Sequence, residues 1–523
     1  MNAPASFNLA QDPWIPVRFL DGTSDLVSLR EAFARGRAIH DLAARPHERI
    51  ALLRLLICIA QAALNGPDTD DAGEWREAEE GLPDAASKYL EKWAGAFALF
   101  GEGPRFLQLR TAKAEETAAS KLFPPLASGN NPTLFDHAGG EERAFAPAAL
   151  ALGLVSFQNF SPLIGRGYTG RGPCVDRNAL HVFRIGANLL ETVLLNGVSI
   201  ERIEGDGRGS FGRPIWEMPL TDPAGVDSAA VRNATRTYLG RLAPLARSVW
   251  LAEDGRSLVL ANGPDYPAFK VGWKEPSATE GIRQEKERYL LGASLGRAVW
   301  RELHAITVAN SDGLGRAATL ARQGEEEACS LWAGGMVTDF KAKIEDAVAS
   351  RFQGDLAVPG KLFSSDTSAH LHYHGGVQAA NAWENAARFA VKQYADILSS
   401  RNSDKPTTDQ RTTGLRDAAS AFFWNEAEQH LRELFALVND LTLLGGKAAR
   451  DPYAPTAWHR ALRRAAAAAF EAVCPQDNAR QHEAAGKARA FLRAKSLESK
   501  PARRGGRSRA AKTTPDPTPL PHA

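Results

Sequence analysis

From about residue 377 the sequence changes texture, and that change limits the folds open to it. Residues 377–399, 411–440, 455–474 and 479–498 carry Ala, Leu, Arg, Glu and Phe at a period near 3.6. The breaks between them hold Pro or paired Gly: Lys405-Pro406, Gly445-Gly446 and Cys474-Pro475. Four helices on short connections predict a four-helix bundle over 377–498. The tail, 499–523, sets Lys500, Arg503, Arg504, Arg507, Arg509 and Lys512 among Gly, Pro and Ala. It has too little apolar surface to fold and is expected to be disordered.

Residues 1–365 read instead as one large mixed α/β domain, so the predicted class is α+β. Trp14 to Arg18 and Leu26 to Leu29 flank Asp21-Gly22, a hairpin signal. Residues 46–64 predict a buried helix with Pro46 in its first turn and Ile50, Leu53, Ile57 and Ala60 on one face. A second helix is expected over 84–100, where Tyr89, Trp93, Phe97 and Phe100 recur. Residues 123–147 and 159–173 are rich in Gly, Pro and Asn and read as loops around a helical or buried stretch at 148–158. A helix is expected at 186–196, a strand at Ser257 to Leu260, and a helix at 341–352.

Charge and cysteine content exclude some functions. The chain has 63 basic and 61 acidic residues, so it is no polycation, and nucleic-acid binding would need a local patch. Cys58, Cys174, Cys329 and Cys474 lie far apart, which supports neither a disulfide framework nor a zinc ribbon. A reducing cytoplasm is therefore the expectation. Ile50 to Leu64, the most apolar stretch, is broken by Arg54 and Gln61 and is too short to span a bilayer. Neither secretion nor a membrane partner is expected.

Three patterns could carry chemistry. Gly165-Arg166-Gly167-Tyr168-Thr169-Gly170 matches G-x-G-x-x-G, but Ser161-Pro162 before it and Arg171-Gly172-Pro173 after it give neither the strand nor the helix of a dinucleotide site. Arginines beside bare glycine backbone suit a nucleic-acid backbone better. His370, His372 and His374 would share one face of a strand and could ligate a metal; as a plain loop they would be solvated. His40-Asp41 resembles the centre of a metal-hydrolase dyad without further ligands in register. No G-x-S-x-G occurs. The residues assemble no active site.

The stretch Leu9-Ala10-Gln11-Asp12-Pro13-Trp14-Ile15-Pro16-Val17-Arg18 resembles the opening of the CasA family, the large subunit of the type I-E CRISPR Cascade complex. Patches agree in order as far as residue 495: Leu52 to Gln61, Gly129 to Phe135, Ala148 to Phe157, Ala298 to Leu303, Leu331 to Gly335, and Phe422 to Leu434. The resemblance implies recognition of DNA, with no catalysis, cofactor or metal. Its implied partners are a guide CRISPR RNA, a double-stranded DNA target, the backbone, small and 5′-end-capping subunits, and a helicase–nuclease. It places a glycine loop along the minor groove at the target-flanking motif, here Gly165, Arg166, Gly167, Gly170 and Arg171. A groove-entering lysine of a strand becomes Arg256, counted back from Asn262-Gly263. A wedge hairpin becomes Thr338, Asp339, Phe340 and Lys341, with Phe340 near a position where the family has glutamine. Phe340 could equally be a core residue ahead of a helix. The loop with Asn131, Leu134 and Phe135 would meet the guide RNA and neighbouring subunits, and the bundle would meet the small subunits and a DNA strand. The C-x-x-C pair of some members is absent. Two other readings stand beside this one: a metal-dependent hydrolase built on the three histidines, and a scaffold touching DNA only through its basic tail.

Overall fold

The computed structural model describes residues 6–111, 115–123, 143–161, 172–205, 209–222, 228–267, 275–282, 288–308, 316–324, 327–338, 344–365, 367–399, 410–445 and 447–495. The chain divides into two compact units. One is Met1–His374 with Glu428–Gly446; the other is Gly375–Ala427 with Lys447–Ala523.

The first unit is built around the helix Pro46–Leu64. Pro46 opens it, the Glu48 carboxylate accepts the Arg45 amide at 3.0 Å, and Asn65 closes it in the left-handed region at φ 49°. The sequence suggests one apolar face, yet Leu52, Leu55, Leu56 and Ile59 are buried beside Ile50, Leu53 and Ile57. A helix apolar all round belongs at the centre of a core. It packs against the helices Ala72–Lys92 and Pro147–Phe160. The first of these begins twelve residues earlier than the aromatic spacing suggests, because Asp71 caps it by accepting the Gly73 and Glu74 amides. It ends at Lys92, and Phe97 and Phe100 enter the core from a 3₁₀ turn and the bend after it.

Small antiparallel sheets surround this core. Strands β1 (Ile15–Phe19), β2 (Ser24–Val27) and β3 (Ile39–Leu42) form one in the order β2-β1-β3, with the expected turn at Asp21-Gly22. Strands β4 (Glu115–Ala118), β6 (Arg247–Leu251) and β7 (Ser257–Asn262) form another in the order β4-β7-β6. A third holds β5 (His181–Arg184), β10 (Leu331–Thr338) and β11 (Ile344–Phe352) in the order β11-β10-β5. A short pair, β8 (Glu280–Ile282) with β9 (Arg288–Leu290), completes them. β11 replaces the helix expected over 341–352. Pairing along all of β10, from Leu331↔Phe352 to Thr338↔Ile344, overrides the local helical pattern.

The second unit is helical, and mixed helices with small sheets make the chain α+β. Its helical segments are the part of Thr367–Ser399 from Gly375 on, Gln410–Glu428 up to Ala427, Ala457–Val473 and Ala479–Arg489. The expected helix over 411–440 is broken at Gln429-His430. Its last part, Leu431–Asn439, belongs with the first unit and packs on the turns Gly354–Leu356 and Gly360–Phe363. Among the described residues no helix is long and apolar enough to cross a membrane.

Candidate nucleic-acid interface

The helix Pro147–Phe160 separates two of the segments singled out in the sequence, 124–142 and 162–171. Both lie outside the described residues, and with them Asn131, Leu134, Phe135, Gly165, Arg166, Gly167, Gly170 and Arg171. Their ends are described and are firmly held.

Ser161 and Gly172 close the neck of 162–171 through a hydrogen bond from the Gly172 amide to the Ser161 carbonyl at 2.8 Å. A Cβ on Gly172 would stand 2.3 Å from the Asn159 carbonyl oxygen, so only glycine fits there. Gly172 is thus a packing residue. Asn159 is fixed in turn. Its Oδ1 accepts from Arg54 Nε at 3.0 Å and its Nδ2 donates to the Val155 carbonyl at 2.9 Å.

Arg54 belongs to a buried charge cluster. Glu275, fully buried, lies between Arg54 at 2.5 Å and Arg241 at 2.6 Å. Burial raises the Glu275 pKa, but Arg54 and Arg241, with His181, outweigh it and hold the carboxyl below its usual range. Ser277 accepts from Arg54 at 3.0 Å and meets His181 Nδ1 at 2.8 Å, while His181 Nε2 reaches the Cys174 carbonyl at 3.0 Å. Both ends of 162–171 are therefore tied to one buried polar network.

A 3₁₀ turn, Pro173–Asn178, leads from that neck to β10. Asn178 Oδ1 accepts from the Thr338 amide at 3.2 Å and the Thr338 hydroxyl at 2.7 Å, and its Nδ2 donates to the Thr338 carbonyl at 3.3 Å. Thr338 ends β10, and residues 339–343 join it to β11; Asp339, Phe340 and Lys341 lie outside the described residues. The described residues flanking 162–171 and 339–343 are thus joined at Asn178 and Thr338.

Arg256 stands at the other end of the helix. It is exposed and lies in the β6–β7 turn, one residue before β7 and so not within the strand where the sequence put it. Gly255 holds φ +70°, and its carbonyl accepts the Phe145 amide at 3.0 Å. The Arg256 carbonyl accepts the Ala119 amide at 2.8 Å. The Phe123 and Phe145 rings stack at 4.7 Å across the base of 124–142. So the Arg256 turn is joined to both ends of the segment that holds Asn131, Leu134 and Phe135. At 1.5 Å per residue, the 14 residues of Pro147–Phe160 set the two anchor regions about 20 Å apart.

The histidine cluster is not a metal site. His370, His372 and His374 lie on the helix Thr367–Ser399, not on a strand or loop. His370 and His374, four apart, share one helical face, while His372 lies on another and its nitrogens meet the carbonyls of Ser368 at 2.7 Å and Leu444 at 2.5 Å. No group of three metal-ligating side chains occurs among the described residues. His40-Asp41 is also structural, since Asp41 is buried against Arg49 at 2.5 Å and pairs with Arg351.

Comparison with known proteins decides the family. The family described as CRISPR-associated protein Cse1 matches residues 8–469. The chain belongs to the CasA/Cse1 family. The CRISPR-associated protein CasA/Cse1 of Thermus thermophilus is 33% identical over 323 residues, covering 58% of this chain and 61% of that relative. The alignment thus spans under two thirds of the curated relative's length. The solved structure of Thermus thermophilus CasA (Cse1) shares the fold at a TM-score of 0.70 and 23% identity, covering 94% of this chain and 98% of that one. A chain of a CRISPR RNA-guided surveillance complex matches at 0.68 and 19% identity, covering 94% and 100%.

This CasA/Cse1 chain also carries a basic pocket that its sequence did not single out. In the second unit Arg388, Lys392, Arg416, Arg493 and Lys495 surround a cavity of about 360 Å³ beside Phe389. Carboxylates answer only part of that charge: Glu384 and Asp417 lie at 3.6 and 3.5 Å from Arg388, and Asp396 at 2.6 Å from Lys392. Phe389 and Phe491 meet edge to face at 5.8 Å and are 47% and 43% exposed. The i, i+4 spacing of Arg388 and Lys392 was the available signal; Arg493 and Lys495 come from the far end of the chain.

Proposed function

We propose that this chain is the large subunit of a type I-E CRISPR RNA-guided surveillance complex. In this reading it recognises the motif flanking a double-stranded DNA target through the minor groove and wedges the duplex open to start R-loop formation. It then helps recruit a helicase–nuclease and itself makes and breaks no bond. The observation that carries the reading is the Asn178 clamp. It joins the neck of the Gly-rich segment to the strand that bears the wedge, so groove contact and strand separation would act on adjacent base steps.

Gly165, Gly167 and Gly170 would let the main chain approach the groove floor, with Arg166 and Arg171 on phosphates. Phe340, with Thr338, Asp339 and Lys341 around it, would enter the stack, where an apolar side chain unstacks a step at a cost of roughly a few kcal/mol. The guide–target heteroduplex is about as stable as the DNA it replaces, so only the first steps need help from the protein. Arg256, about 20 Å away along the helix, would contact the duplex about six base pairs off at 3.4 Å per base step. Asn131, Leu134 and Phe135 would meet the guide RNA and its 5′-end-capping subunit. The aromatic and cationic pocket of the second unit suits an unpaired strand.

The test uses the assembled complex with its guide RNA. Arg166→Ala with Arg171→Ala, and separately Arg256→Ala, should weaken binding to motif-bearing duplex by about tenfold, the effect of roughly 1–3 kcal/mol per groove contact. Phe340→Ala should slow strand opening more than it weakens first binding. Wild-type behaviour from all three variants would overturn the reading.

A further inference from the structure

The first unit holds a cavity of about 800 Å³ that motif recognition and duplex opening do not use. Its walls come from residues 92–96, 104–110 and 215–221, with Leu245 and Trp250. It is mainly apolar, within the size range of small-ligand sites. Trp93 and Trp216 form an aromatic wall. Trp216 is backed by Phe97 at 5.2 Å and Phe106 at 5.7 Å, and its Nε1 donates to the Tyr89 hydroxyl at 2.7 Å.

Two details point to a ligand. Leu107, in the wall, holds φ +48°, a left-handed conformation that costs a branched side chain energy and concentrates at binding sites. At the mouth, Lys92 and Arg110 are exposed cations, and Lys92 lies over the Trp93 ring at 5.3 Å. Arg105 adds no free charge, because it pairs with Glu253 at 3.5 Å, and it also donates to the Gly101 and Leu251 carbonyls at 2.7 and 2.8 Å and covers Trp250.

One carboxylate also lines the cavity. Glu217 is half-buried and held by the Tyr89 hydroxyl, which donates to its Oε1 at 2.6 Å. A carboxylate accepts only, so it selects a donor on the ligand. A flat aromatic wall, a carboxylate acceptor and two mouth cations together describe a nucleotide. The two cations favour phosphate over an acidic peptide's looser charge, and the aromatic wall favours a ring.

We infer that this cavity binds one unpaired nucleotide whose base carries an exocyclic amine, with the base on Trp93 and its phosphate between Lys92 and Arg110. Glu217 accepts from the amine. Adenine and cytosine meet that demand; thymine and uracil present a carbonyl oxygen to Glu217 and are disfavoured. The inference deepens the nucleic-acid reading above but does not depend on duplex recognition, because the site is complete within this chain.

The test measures binding of fluorescein-labelled (dA)6, (dC)6 and (dT)6 to the isolated full chain by anisotropy, with AMP and UMP as competitors. The expected result is (dA)6 and (dC)6 at least tenfold tighter than (dT)6, with AMP competing better than UMP. Lys92→Ala with Arg110→Ala should weaken (dA)6 at least tenfold. Glu217→Gln, which keeps an acceptor for Tyr89 and adds a donor, should narrow the preference over (dT)6, with melting temperature checked on each variant. Unchanged (dA)6 binding by the folded Lys92/Arg110 variant overturns the site. So does equal binding of the three oligonucleotides, or capture of an acidic apolar peptide in place of AMP. Arg166→Ala with Arg171→Ala should leave the preference for (dA)6 over (dT)6 unchanged, which separates failure of this site from failure of motif recognition.

Discussion

Glu275 shows how one side chain can hold a distant surface in place. It neutralises Arg54 and Arg241, and Arg54 holds Asn159 at the neck of the Gly-rich segment. Glu275→Gln keeps the shape and removes the charge, leaving two buried guanidiniums against a neutral amide. Breaking a buried pair from one side typically costs about 3–5 kcal/mol. Urea denaturation of the variant should show a loss of that size, and a loss under about 1 kcal/mol would mean that the cluster carries little of the fold. In the sequence Arg54 was visible only as an interruption of an apolar run. Its carboxylate partner lies more than two hundred positions away, and no local pattern connects them. The same limit applied to Asp41, whose partners Arg49 and Arg351 no local pattern beside His40 reveals.

Elements that follow from local chemistry were legible, and those that depend on pairing were not. Asp21-Gly22 announces the β1–β2 hairpin because the turn needs a residue at positive φ, and Gly22 stands at +88°. Pro46 likewise announces its helix. Ile344–Phe352 offers no such marker, and its strand exists because β10 lies alongside. That pairing brings Thr338 opposite Ile344, and Asn178 holds Thr338 at the end of β10. Asn178→Ala removes three hydrogen bonds to Thr338 while leaving both strands paired. Strand opening, followed by 2-aminopurine fluorescence in the target, should slow several-fold, with first binding to the motif nearly unchanged. Equal opening rates would show that the Gly-rich segment and the hairpin act independently.

The division into an α/β part and a helical part followed from periodicity, but periodicity could not assign Leu431–Asn439 to the first unit, since its pattern runs on from the helix before it. The first unit also concentrates buried neutral imidazoles, which gives the molecule a pH signature. Burial, with the charge of Arg45, pushes His47 down to about 4. Burial and Arg54 do the same to His181, and burial with His374 and His370 does so to His304. An unfolded chain protonates these groups near the ordinary value of 6.5, whereas the folded chain resists until about 4. Stability is therefore complete above 6.5 and falls as pH drops toward 4, because the unfolded state binds more protons there. At pH 5 each histidine contributes a loss of about 2 kcal/mol. Glu275 stays ionised through this window, since its carboxyl is held below the usual range. Glu302 works in the opposite direction, because burial raises its carboxyl and protonation then favours the fold. Urea denaturation of the full chain at pH 7 and pH 5 should show a net drop of several kcal/mol, and His304→Gln should shrink that drop by about 2 kcal/mol. Equal stability at the two pH values, or a drop unaffected by His304→Gln, would show that these imidazoles take up protons in the folded state as readily as in the unfolded one.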